Sequence, residues 1–129
     1  MSGFGTTQQS LFAYLSKFFG KIGFREGARF RHVRYHLSRG HIVIVNWWDD
    51  LEENDGDDGH YTLIHSIRPD GSSIRMIDPT EDRGIWNMKT RAFLKRWYDY
   101  LDVQNSKRLD RWFMWIDPGS KISTRCLSS

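Results

Sequence analysis

Two residues of this chain, His60 and Asp78, have the types and spacing for proton-transfer chemistry. Histidine is the side chain whose ordinary titration falls near neutrality, and a carboxylate beside it fixes its tautomer and stabilises the imidazolium. Eighteen residues separate the pair, and the intervening sequence explains how they could meet. Apolar runs at residues 61–67 and 74–77 flank Pro69-Asp70-Gly71, where proline presets φ for a turn and glycine accepts the left-handed position. This predicts a β-hairpin with a three-residue loop. Arg68 is then expected to face Ser72 and Thr62 to face Asp78, with His60 one step diagonally along the same face. Pro79 follows Asp78, and Asp57-Asp58-Gly59 precedes His60, so both side chains belong where strands give way to loops. A structural hydrogen bond closing the hairpin mouth is the plainer use of the same two groups.

Other candidates are weaker. The single cysteine, Cys126, lies in a polar tail and permits neither an internal disulfide nor a cysteine zinc site. Ser10 lacks a recognisable activating partner. His32, His36 and His41 could grip a metal from one helix end, but no carboxylate completes the set. Asn54, Gly56 and Asp58 alternate as cation ligands do, without the distal glutamate of an EF-hand loop. No cofactor is implied. The arginines of residues 25–39 read as exposed sides of an amphipathic helix, without the glycine and aromatic signature of an RNA-binding sheet, so no nucleic-acid partner is expected.

The elements that must position the pair follow from periodicity. Thr6 and Gln9 have capping-box spacing ahead of Leu11, Phe12, Leu15, Phe18 and Phe19, a helical face stopped by Gly20. Residues 21–26 alternate as an edge strand. Phe30, Val33 and Leu37 mark a second helix over residues 28–39, ended by Gly40, and residues 42–45 are a β-branched run expected to be central and buried on both faces. Residues 49–58 hold seven carboxylates and one apolar residue, a solvated loop. Beyond the hairpin, Ile85-Trp86 is extended. Phe93, Leu94, Trp97 and Leu101 mark a third helix capped by Thr90 or Asn87, and residues 104–110 read as a polar loop before a last buried strand over residues 112–116. Trp86, Trp97, Trp112 and Trp115 are most simply core. The expected class is α+β, a mainly antiparallel sheet with helices packed against it, in one domain over residues 1–118 followed by a polar tail at 119–129.

Composition agrees with one domain that has a real core: 39% of the 129 residues are hydrophobic and 15% aromatic. No stretch approaches the ~18 apolar residues of a membrane span, and no signal peptide opens the chain, so a cytoplasmic location is expected. The net charge of +3 is segregated: residues 1–48 carry +6, residues 49–82 carry −9, and residues 83–129 carry +6. That pattern predicts internal attraction more readily than a nucleic-acid face.

Several of these features together resemble the papain-like cysteine peptidases of the bacteriocin-processing, double-glycine-leader type. They are the basic helix ending at Gly40, Ile42-Val43-Ile44-Val45, Trp47-Trp48, Gly59-His60-Tyr61, Ile77-Asp78-Pro79, and Phe93 with Trp97-Tyr98-Asp99. The resemblance runs from about Gly5 to Pro118. It implies a papain-like half-domain, a general-base role for His60, an orienting role for Asp78 and a peptide substrate or ligand. The family's nucleophilic cysteine, preceded by an oxyanion-hole glutamine, belongs to a helix ahead of the Gly5-Thr6-Thr7 segment. The chain as given is therefore expected to be truncated or inactive, or else a peptide-binding pseudopeptidase or interaction module, with possible association through the sheet face left uncovered.

Overall fold

The computed structural model describes residues 7–49, 59–78, 83–101 and 107–122. Six strands form one antiparallel sheet in the order β1-β8-β2-β3-β4-β5: β1 (Ile22–Arg25), β2 (Ile42–Trp48), β3 (Gly59–Ile67), β4 (Ser73–Ile77), β5 (Ile85–Lys89) and β8 (Phe113–Ile116). A second, two-stranded sheet pairs β6 (Tyr98–Tyr100) with β7 (Arg108–Asp110). The helices are α1 (Gln8–Leu15), α2 (Phe30–Ser38) and α3 (Thr90–Arg96). The architecture is α+β, and no helix among the described residues is long and apolar enough to cross a membrane.

Two apolar clusters, one on each side of the sheet, explain why the β-branched β2 is central. Val43, Val45, Trp47, Ile64, Ile74 and Met76 pack with Val33 of α2 and Phe93 of α3, all buried. The opposite, smaller cluster joins Trp112 and Met114 to Ile44 and Tyr61 and to Leu11, Phe12 and Leu15 of α1, which are only partly buried. Phe24 stacks on Trp112 and meets Phe12 edge-on, yet stays 54% exposed at the β1 edge. Apolar surface is thus left on the α1 side.

Several local expectations change. The α1 cap is Thr7, which accepts from Ser10 N; Thr6 lies outside the described residues. The helix stops at Leu15 rather than Gly20. Ser16 turns its hydroxyl back onto the Phe12 carbonyl, and the next turn tightens before Phe19 bridges to Lys121. Residues 119–122 are therefore fastened to the fold. Lys89, not Thr90 or Asn87, caps α3; the Thr90 hydroxyl instead donates to Gly71 O at 2.6 Å, docking the helix on the hairpin turn. The third helix also ends earlier than the spacing of Trp97 and Leu101 predicts. Trp97 leaves helical geometry at ψ 69°, Tyr98 to Tyr100 become β6, and Leu101 is exposed. Part of the expected polar loop before Asp110 is β7.

Candidate functional site

The site is built on the β3–β4 hairpin. Its loop has four residues, not three: Arg68 N bonds Ser73 O at 3.0 Å, so Arg68 faces Ser73 rather than Ser72. Asp70 Oδ1 accepts from both the Ser72 amide and hydroxyl, and Gly71 takes φ +78°. A β-bulge at His65 then removes the one-residue offset. Beyond it Ile64 pairs with Met76 and Leu63 with Ile77, the register expected from a three-residue loop. Continued one step, that register sets Thr62 against Asp78 and leaves His60 diagonal to Asp78 on the same face.

The two side chains meet there. His60 Nε2 donates to Asp78 Oδ2 at 2.8 Å; the carboxylate is fully buried, and the imidazole keeps 21% of its surface exposed. A proton on Nε2 leaves Nδ1 as the lone-pair nitrogen, and no described side chain bonds it. The neighbourhood fixes the pair tightly. Trp47 stands cross-strand from His60 with rings 5.9 Å apart, and its indole N–H donates to Thr62 Oγ1 at 2.8 Å. On the other side of the sheet, buried Asn46 donates to the His60 carbonyl and accepts from Gln8 of α1 at 2.6 Å. No family model, curated protein or solved structure matches the chain. The chemistry of the site must therefore be argued from its own atoms.

Those atoms include two that sequence reasoning missed. Arg83 Nη1 lies 3.7 Å from Asp78 Oδ2; the guanidinium pairs with Asp49, Nη2 donating to Oδ1 at 3.1 Å and Nη1 lying 2.6 Å from Oδ2 as an ion-pair contact without hydrogen-bond geometry. Its Cζ lies 4.8 Å from the Trp86 ring centroid and 6.0 Å from that of Trp47. Asp49 is accordingly a half-buried ion-pair partner and not part of a solvated loop; the rest of the acidic run, with Asn54, Gly56 and Asp58, lies outside the described residues. A sequence separation of 34 between Asp49 and Arg83 leaves no local pattern to read. What the set can do is hold a buried carboxylate ionised, tether one imidazole nitrogen and present the other as a base.

The remaining candidates fall elsewhere. Ser10 is exposed and its hydroxyl accepts from Thr7, an arrangement internal to the α1 cap. Cys126 lies outside the described residues. His36 and His41 approach with Nδ1 atoms 2.9 Å apart, stacked over Trp115, but His32 is turned to the Arg29 amide, and no group of three metal-ligating side chains exists among the described residues. Near the site, burial first and the Asp99 carboxylate second raise the Tyr61 phenol well above its ordinary value, so it stays neutral.

Proposed function

We propose that this chain supplies the general base and its orienting carboxylate to a cysteine-peptidase-type site acting on peptides. His60 Nδ1 takes the proton of a thiol, and the resulting thiolate attacks the peptide carbonyl. The imidazolium is held by Asp78 through Nε2–H and returns its proton to the leaving amine. Water then hydrolyses the thioester. The observation that carries this reading is the 2.8 Å bond from His60 Nε2 to a fully buried carboxylate, with Nδ1 left for a reacting partner. The resemblance of Gly59-His60-Tyr61 and Asp78-Pro79 to the bacteriocin-processing peptidases supports it. The thiol is assigned to a segment outside residues 1–129.

The test is a longer chain carrying a glutamine and then Cys-Gly ahead of residue 1. It is expected to cleave peptides in a thiol-dependent manner. His60→Ala should abolish cleavage, since base catalysis contributes ~10²–10⁴-fold and the thiolate depends on it. Asp78→Asn should cost less, because Asp78 orients rather than transfers the proton. Residues 1–129 alone should show no hydrolysis; hydrolysis by them that survives His60→Ala would refute the reading. Peptide binding without any thiol-dependent cleavage would select a binding-only role.

A further inference from the structure

Strand β1 ends the six-stranded sheet, and its register decides what it shows to solvent. Asp117 N bonds Lys21 O at 2.9 Å, so Lys21, Gly23 and Arg25 turn their backbone groups toward β8. The N–H and C=O of Ile22 and Phe24 then point outward, and no other described strand pairs with them. The side chains divide by face. Ile22 and Phe24 lie on the α1 side, where Phe12 and Phe24 meet with ring centroids 4.9 Å apart and Phe24 stays 54% exposed. Lys21 and Arg25 lie on the α2 side, both exposed, and Gly23 between them adds no side chain beneath Trp115. The start of α2 extends this charge. Arg29 and Arg31 are exposed, and burial first, then Arg25 and Arg31, lower the His32 pKa, which sets the β1 and α2 cations within reach of one imidazole. Glu26 is the one carboxylate in residues 21–48. Among the described residues none of Lys21, Arg25, Arg29 and Arg31 is ion-paired.

We propose that the β1 edge docks an extended segment of another protein in which acidic and apolar residues alternate. Added antiparallel, such a segment bonds Ile22 and Phe24 through its backbone and lays its apolar side chains beside them on the α1 side. Its carboxylates then fall on the α2 side, beside Lys21, Gly23 and Arg25. A second copy of β1 fits worse, because the two-fold axis of such a pair keeps each face on its own side and gathers the Lys21 and Arg25 side chains of both copies together. β3 stands three places along the sheet order, so the edge needs nothing from the His60–Asp78 pair.

The experiment mixes residues 1–129 with a fluorescently labelled peptide, Glu-Val-Glu-Leu-Glu-Val-Glu, and follows anisotropy, with amide hydrogen exchange read by NMR. Saturable binding is expected, with slowed exchange at the Ile22 and Phe24 amides. Arg25→Glu and Phe24→Ser, both at exposed positions, should each weaken binding about tenfold or more. Replacing the peptide's glutamates by lysines should abolish binding, and so should N-methylation of its valines and leucine, which removes the amides that face β1. Absence of saturable binding, equal binding of the lysine or N-methylated peptide, indifference to either substitution, or protection confined to β5 at the opposite edge would each overturn the proposal. Concentration-dependent protection of the same two amides without peptide would make a second copy the occupant and overturn it likewise.

Discussion

Thr62→Val is a stringent test of what holds the floor of the site. Thr62 and Trp47 are both fully buried, and the indole N–H donates to Thr62 Oγ1 at 2.8 Å. Valine replaces the hydroxyl with a methyl of nearly the same size, so no cavity opens and the β-branched shape still suits β3. The indole donor, however, loses its acceptor in a place water does not reach. Stranding a buried neutral donor costs ~1–3 kcal/mol, whereas removing both partners of such a bond is close to neutral. For a domain of this length each kcal/mol lowers the melting temperature by roughly 3–5 °C. Thermal or urea unfolding should show this loss for Thr62→Val. The same change in a Trp47→Phe background, where no donor remains to be stranded, should cost less than ~0.5 kcal/mol. Equal costs in both backgrounds would refute the hydrogen-bond account and leave only packing. The bond bears on the candidate site because Trp47 sets its ring against His60 and near Arg83.

Two further outcomes follow from contacts away from the site. Gly23 lies under the Trp115 indole, and a Cβ there would come within 2.6 Å of ring carbon Cζ2. Gly23→Ala should therefore destabilise by ~1–3 kcal/mol in urea unfolding, through displacement of the ring. Burial first, then His41, His32 and Arg39, lower the His36 pKa below its unfolded value of 6.5. The unfolded chain then binds more protons, so stability is full above pH 6.5 and falls as the pH drops through it. His36→Gln should flatten the fall of a melting-temperature profile below pH 6.5, and an unchanged slope there would contradict this assignment.

The hairpin and the meeting of His60 with Asp78 were legible because they rest on local chemistry: proline and glycine mark the turn, and alternation decides the faces. The bulge was less legible. Its trace in the sequence is the adjacent polar pair His65-Ser66, which breaks the alternation of β3 and reads equally as a strand fraying into its turn. The end of α3 misled for a different reason. Trp97 and Leu101 keep helical spacing, but Tyr98 and Tyr100 gain a partner strand in β7 and pack against Trp48, and tertiary pairing overrides periodicity. Arg83–Asp49 and Gln8–Asn46 were invisible, since each joins distant segments through side chains that alone look like ordinary surface residues.

The His65 bulge makes strand pairing resemble a reading frame with one spare letter. Between Leu63 and Arg68 the outgoing strand spends six residues against the five of Ser73 to Ile77, and the sixth is His65. Deleting His65 would close the ladder into a regular one with every cross-strand partner kept, because Ile64 and Ile67 face the same core on either side of it. Deleting Leu63 instead, two positions away, would shift the frame and turn His60 to the opposite face, away from Asp78. Neighbouring single-residue deletions thus have opposite fates, and a hydrogen–deuterium exchange map of the hairpin would tell them apart.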